Sequence, residues 1–363
     1  MKPVLALMMV VVLAACAKPE AEYRETRYIF GTLVEFIIRG EDEGKAKRAV
    51  AAVDSDFQRM HRDWHAWKPG GELVALNQAL AKGEGMRVSP FVLPLLKQGK
   101  VFEAQSGGLF NPAIGAVIDA WGFHSDELPT GALPNFDDVQ ALAAQQPSMA
   151  DVIIDGDTVT SRNAAVQFDF GGFAKGVALD MAVAKLKTLG IEHAIVNAGG
   201  DLNTLGQAGR RLWNVGIRDP RDWGVIASAQ LHGGENLYTS GNYERFRESE
   251  GIRYAHIIDP RTGMPVEHTV SASVIHENGA LADAAATALI VAGPEHWAEV
   301  ADAMGIEYAM LVDKQGTVYV SPEMLARITF EPDKKLTIVE SRPLSGAAVE
   351  LSQNRQGKTL STH

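Results

Sequence analysis

The chain has 363 residues, 46% of them hydrophobic and 22% charged, with a formal net charge of −11 and one cysteine. Length and balance suit one large packed domain or two smaller ones. The acidic excess and the lack of any Lys/Arg-rich run argue against nucleic acid as a partner, because a phosphate backbone demands basic patches. The lone cysteine excludes a disulfide within the chain.

Lys2 is the only charge before Lys18, and an apolar run from Val4 to Ala15 lies between them. That run is too short for a permanent membrane span. A basic start, a short apolar core and a small-residue site make a secretory signal. Leu13-Ala14-Ala15-Cys16 resembles a bacterial lipoprotein signal cut just before the cysteine. Residues 1–15 are therefore expected to be a signal peptide and Cys16 the lipidated residue. The protein is then exported and anchored to a bacterial membrane, with its domain on the periplasmic or extracytoplasmic side. An ordinary signal peptide with an incidental cysteine is the alternative. Residues 16–26 read as the lipidated cysteine and a polar tether, reaching at most ~35 Å for ten extended residues. A folded domain is expected over 27–344 and a polar, disordered tail over 345–363.

In chain order, Tyr28 to Arg39 is rich in β-branched and aromatic residues and predicts a strand. Ala46, Ala49, Val50, Val53, Phe57 and Met60 recur at helical spacing and predict an amphipathic helix. A second helix is expected from about Pro90 to Gln105, stopped by Gly107-Gly108, and a short one from Asn111-Pro112 to near Trp121. His124 to Phe136 carries two prolines and reads as a loop. One more helix follows, then a hairpin about Asp155-Gly156-Asp157. A strand over Val166–Phe170 leads into a Gly-rich turn and a helix closed by Gly190. Strands and turns fill Ala194 to Ile275. Two helices, Leu281 to Ala292 and Glu295 to Met304, precede two last strands about Lys314-Gln315-Gly316. Mixed strands and helices without regular βαβ alternation predict an α+β fold.

Four groups of residues are candidates for chemistry. Asp283 and Thr287 stand four apart in an Ala-rich helix and share a face. A carboxylate and a hydroxyl together suit a hard cation such as Mg2+. On these residues alone, a capping Asp and a Thr bonded back to its own helix are the simpler explanation of the pair. Asp169 to Gly176 (DFGGFAKG) sits before a helix, where glycines admit a ligand to the backbone and the helix N-terminus welcomes phosphate. It is not a P-loop, since the order is Lys-Gly, and many such turns are only tight connections. Polar turns recur at Asn197–Asp201 (NAGGD), Thr239–Arg245 (TSGNYER) and His256–Gly263 (HIIDPRTG), where backbone geometry is the simpler explanation. Phe30, Trp64 and Trp67 are core candidates that also suit a flat ring. A serine hydrolase elbow and closely spaced zinc-binding histidines are both absent.

Taken in order, these pieces resemble the ApbE family of FAD:protein FMN transferases. The match runs from Phe30-Gly31-Thr32 through Gly108–Gly115 (GLFNPAIG), DFGGFAKG, NAGGD, TSGNYERF and HIIDPRTG to ADAAATAL. The resemblance implies that FAD is split at its pyrophosphate, AMP leaves, and FMN is joined through phosphate to a threonine of an acceptor protein. It implies acceptors such as membrane subunits of sodium-pumping quinone reductases or related electron-transfer complexes. It implies Mg2+ on Asp283, Thr287 and the carbonyl of Gly172, and FAD near Phe30, Trp67, Leu109, Phe110, Asn111, Asp169, Lys175 and Ile257. His256 matches the histidine that handles the acceptor hydroxyl. Two departures are visible. Many members carry Met where this chain has Phe30, and some carry an acid where this chain has Ala286, which leaves the number of metal ions open. A Mg2+-dependent FAD pyrophosphatase and a non-catalytic flavin-binding lipoprotein remain as alternatives.

Overall fold

The stretch from Tyr28 to Arg39, which the sequence presents as one strand, folds as part of two. In this computed structural model, which describes residues 21–125 and 127–347, Phe30 and Gly31 take left-handed φ values of 56° and 74°. Two such residues make the tight turn whose twist matches a hairpin. Glu22–Ile29 therefore pairs antiparallel with Thr32–Arg39. Strand is thus present from Glu22 among the described residues, and the second half of the expected tether is strand. Its composition hid it. This is the sheet's edge, and its charges are spent on neighbours, Arg24 with Glu35 and Arg39 with Glu22. Charged edges are how sheets avoid pairing with strangers. Cys16 and its apolar leader lie outside the described residues, as does the expected tail beyond residue 347.

The two strands open a nine-stranded sheet whose spatial order follows the chain: His193–Ala198, Asp201–Leu205, Asn236–Gly241, Thr269–His276, Tyr308–Asp313, Thr317–Val320 and Thr337–Glu340 come next. All neighbours are antiparallel except the last pair, Thr317–Val320 with Thr337–Glu340. On one face pack the helices Glu43–Asp63, Ala174–Thr188 and Gly279–Met304, which bury Phe57, Leu186 and Leu289 in the main core. On the other face a three-stranded sheet, Trp213–Arg218, Val225–Leu231 and Ile328–Phe330, covers Leu237, Ile275 and Met310. The fold is α+β, as expected.

Gly279–Met304 is interrupted at Gly293, φ 72°, followed by Pro294, so the two expected helices are one element with a break. Ala282, Ala284, Ala285, Ala286 and Ala288 are buried in its first half. Small side chains let this helix approach Ala174–Thr188 until a Cβ on Gly176 would stand 2.4 Å from the Gly279 carbonyl oxygen. The expected strand over Val166–Phe170 does not form. It makes one parallel bridge, Gln167 with Ile114. The Asn77 side chain replaces a neighbouring strand, accepting from Phe168 N–H at 2.7 Å and donating to its carbonyl at 2.9 Å. A side-chain amide that mimics a strand satisfies the backbone and holds Asp169 at a fixed height beside the next turn.

Candidate active site

A cleft of about 560 Å³ opens where the Gly-rich turn, the 30–31 hairpin turn and the 256–260 segment meet. Every residue singled out for FAD, metal or catalysis lines it, from Phe30 to Thr287. Its size suits a small-molecule site.

One wall is made of oxygen and backbone. Asp283 is buried at 5% exposure, and its Oδ2 accepts from Gly176 N–H at 3.0 Å. Thr287 lies one turn on, its hydroxyl 3.1 Å from that of Ser240. A Cβ on Gly172 would stand 3.6 Å from the Thr287 hydroxyl oxygen, so the Gly-rich turn runs directly beside it. Burial pushes the Asp283 carboxyl up; Lys175 pulls it down, and Asp201 and Glu244 push it up again. A carboxylate so placed is charged more easily once a cation shares its corner. Among the described residues no cluster of three or more His, Cys, Asp or Glu is placed to hold a metal. The side-chain donors in this corner are the Asp283 carboxylate and the Thr287 and Ser240 hydroxyls, and the resemblance adds the Gly172 carbonyl. That all-oxygen set fits Mg2+, which takes few protein ligands and completes its shell with water or phosphate.

Lys175 enters this wall from the first turn of its helix and is ion-paired with Asp201. Burial works against its charge, but Asp201, Glu244 and Asp283 outweigh that and hold the ammonium protonated. Asp201 also accepts from Thr239 N–H at 2.9 Å, tying two strands to the pair.

The other wall is aromatic. Phe30 meets Phe57 edge-on at 5.2 Å and His61 at 5.9 Å. Trp67 lies parallel to the His124 ring at 4.9 Å and edge-on to His65 at 4.0 Å. Phe110 is buried against Phe102 and Phe173, and Leu109 is partly buried against the same core. Asn111 spends its amide on the fold, donating to the Pro147 carbonyl and accepting from Ala113 N–H, each at 2.8 Å. Asp169 does the same: Oδ2 takes His124 Nε2 at 2.8 Å and Oδ1 takes Gly171 N–H at 2.7 Å. Burial alone would raise its carboxyl, but the His124 hydrogen bond and charge and the Gly171 N–H hold it below the usual value. Ile257 is buried on the cleft floor.

His256 stands between the walls. Its Nδ1 lies 3.0 Å from the Arg245 carbonyl oxygen. A carbonyl only accepts, so Nδ1 carries the proton and Nε2 keeps its lone pair. Burial lowers its pKa to about 4; the Arg245 carbonyl raises it, and the Arg245 and Lys175 charges lower it further. The imidazole is neutral across the physiological range.

Sequence reading alone did not name Ser240, Asp201, Glu244, Arg245 or His124 as site residues. The first four sit inside the NAGGD and TSGNYERF turns, so the motifs were the signal. His124 left none, lying in a stretch that reads as loop.

An α+β domain whose cleft sets an oxygen-lined corner against an aromatic wall belongs to a recognisable class. The ApbE family model matches residues 30–310, and the chain belongs to that family, one of flavin-transferring enzymes. It is 48% identical over 310 residues to an FAD:protein FMN transferase of Rhodobacter capsulatus, taking in 85% of this chain and 59% of that protein. The chain thus spans less than two thirds of that relative's length. It is 35% identical over 294 residues to the FAD:protein FMN transferase of Treponema pallidum, covering 76% of this chain and 80% of the other. Among solved structures, the ApbE protein of Thermotoga maritima matches with a TM-score of 0.78 at 27% identity, over 85% of this chain and 99% of that one. The flavinyl transferase ApbE of Pseudomonas stutzeri, in its apo form, matches with a TM-score of 0.73 at 25% identity, over 85% and 97%.

Proposed function

We propose that this chain transfers FMN from FAD to a threonine hydroxyl of an acceptor protein, with Mg2+ present and AMP released. The observation that carries this reading is a neutral histidine with a free Nε2 lining the same cleft as an all-oxygen corner and an aromatic wall. A threonine hydroxyl is a poor nucleophile, and His256 Nε2 takes its proton as the oxygen attacks phosphorus. The new bond joins that oxygen to the FMN phosphorus. The broken bond is the pyrophosphate P–O bond, whose oxygen and electron pair leave with AMP. Asp283, Thr287 and the Gly172 carbonyl would hold Mg2+, which neutralises charge on the phosphoryl oxygens when bound. Lys175, kept protonated by its acidic neighbours, supplies a fixed positive charge on the same wall. The aromatic wall packs the flat ring, and the turns about both walls fix it in line for attack.

We infer further that the enzyme is exported and held at a membrane by lipid on Cys16. The support is sequence alone, the single cysteine following Leu13-Ala14-Ala15. Such an enzyme works beside its membrane, and membrane subunits of sodium-pumping quinone reductases or related electron-transfer complexes are the acceptors within reach. Cys16→Ser should abolish the lipid-shifted mass; a mutant that keeps it refutes the anchor.

The test of the reaction is to incubate the protein with FAD, Mg2+ and a candidate acceptor and weigh the acceptor. A covalent FMN adduct together with AMP is the expected result. Free FMN and AMP beside an unmodified acceptor would make this a pyrophosphatase, and bound FAD without AMP a flavin-binding protein.

A further inference from the structure

His124 is a titratable side chain beside the cleft to which the resemblance gives no part. Its side chain is 3% exposed, and it touches Trp67 and, through Asp169, reaches the Gly-rich turn. Nε2 faces Asp169 Oδ2 at 2.8 Å. Nδ1 lies 3.5 Å from Asp119 Oδ1. One ring face lies on Trp67, centroids 4.9 Å apart and planes 16° from parallel.

The flanking backbone is pinned from the catalytic side. The Arg245 guanidinium donates to the carbonyls of Phe123 and Ser125, while the Arg245 carbonyl fixes Nδ1 of His256 at 3.0 Å. Phe123 meets the His256 ring edge-on at 6.2 Å. Asp169 passes the contact onward, since its other oxygen takes Gly171 N–H at 2.7 Å. An unbroken chain of contacts therefore runs from Trp67 through His124 and Asp169 to the Gly-rich turn. A branch of the same chain runs to His256.

Trp67 follows the end of the Glu43–Asp63 helix and is half-buried, so its indole needs a fixed surface behind it. A ring hydrogen-bonded at Nε2 and buried against the indole on one face has little freedom to turn, and such a partner sets the plane of the indole stacked on it.

We propose that His124 is a positioning residue for FAD: it fixes the Trp67 plane and the Asp169–Gly171 turn relative to one another, so that flat ring and pyrophosphate are seated at the same time. This rests on the proposed function, since it takes FAD as the ligand. It assigns His124 no contact with the reacting atoms. Its effect is on the affinity for FAD, with the chemical step following from His256 as before.

The two halves of the contact can be removed separately. His124→Gln places an N–H where Nε2 was and keeps the bond to Asp169 while losing the ring. His124→Phe keeps the ring and loses the bond. His124→Ala loses both. FAD affinity is read by quenching of flavin fluorescence, which requires no transfer, and KM and kcat by acceptor flavinylation. Thermal melts without FAD check that each variant is folded. His124→Ala should weaken FAD binding about 10- to 100-fold, the effect of losing a hydrogen bond to a charged group. The Phe and Gln variants should fall between it and the wild type, and kcat should change by less than KM for FAD. If His124→Ala does not fold, the Gln and Phe variants decide.

Variants that bind FAD as the wild type does overturn the inference, as does a loss of kcat at unchanged KM. A wild type that binds no FAD overturns the proposed function and this inference together. A wild type that binds FAD and weak-binding variants, without any acceptor labelling, removes the transferase reading but leaves the positioning role standing.

Discussion

The two walls of the cleft are built by different means. The oxygen wall is backbone and short side chains brought so close that nothing larger fits: a Cβ on Gly176 would meet the Gly279 carbonyl oxygen at 2.4 Å and the Ala280 Cα at 2.7 Å. The aromatic wall is large rings, Phe30, Trp67 and their ring neighbours, resting edge to face or, for Trp67 on His124, stacked, with centroids 4.0 to 5.9 Å apart. Backbone contacts cannot yield, whereas rings tolerate some repacking. The oxygen wall should therefore respond to substitution as a switch and the aromatic wall as a dial.

The largest effect is expected between the walls. His256→Ala should slow flavinylation by roughly 10²–10⁴-fold, the usual worth of a general base, while FAD binding stays near wild type. Full transfer in a single-turnover assay would make the histidine structural. The pH profile adds a second check. With a pKa of about 4 in the folded protein, the base remains neutral as pH falls through 6.5, where a free imidazole titrates. The rate should hold there and decline only toward pH 4. Stability moves with it. The unfolded chain takes up this proton first, so the His256 contribution to stability is lost as pH drops from about 6.5 toward 4.

On the oxygen wall, Asp283→Ala should lower transfer on the order of 100-fold or more, matching several kcal/mol of charge stabilisation. Chelation by EDTA should do the same to the wild type and Mg2+ restore it. Activity that survives exhaustive chelation removes the metal from this corner. Gly176→Ala changes one methyl group, yet it forces the Ala174–Thr188 and Gly279–Met304 helices apart. A loss of about 1–3 kcal/mol in urea unfolding is expected, the range for overpacking a tight contact. An unchanged midpoint would show that the helices can part freely.

The smallest effect belongs to the aromatic wall. Phe30 holds a φ of 56°, which costs an L-residue about 1–2 kcal/mol and marks strain of the kind found at functional sites. Phe30→Asn relieves that strain, since Asn suits the left-handed turn, and gives up the edge contact with Phe57, worth about 0.5–1.5 kcal/mol. The two nearly cancel, so stability should change by less than about 1 kcal/mol. KM for FAD should rise a few-fold, about 3- to 10-fold for one lost ring contact. A variant as weak as His256→Ala in transfer would mean that the walls are not so different.

The difference between the walls is also a difference in what a sequence carries. Gly171-Gly172, Lys175, Asp283 and Thr287 lie in short contiguous motifs, because a backbone turn and one helix face are local objects with fixed periods. His256 and Ile257 were visible for the same reason. The Ala-rich run of 282–288 showed by composition that something could approach this helix closely, and the break before Glu295 was written in Gly293-Pro294. Local physics also gave the α+β class and most helices.

What only the tertiary structure decided are the pairings between distant segments. Whether Phe30-Gly31 continues a strand or turns depends on a partner for Glu22–Ile29, and a charged edge strand reads the same as a tether until Thr32–Arg39 lies beside it. Val166–Phe170 has the composition of a strand, but Asn77, 91 residues from Phe168, supplies the hydrogen bonds a neighbour would have made. His124 joins Asp169 across 45 residues and stacks on Trp67. Asp169 and Asn111 look like ligand groups in the sequence, yet both spend their polar atoms inside the fold. A motif fixes which residue types stand together along the chain. Which polar atom is consumed by the fold and which is left facing the cleft is settled by hydrogen-bond partners from elsewhere, because each buried donor and acceptor must be matched in space.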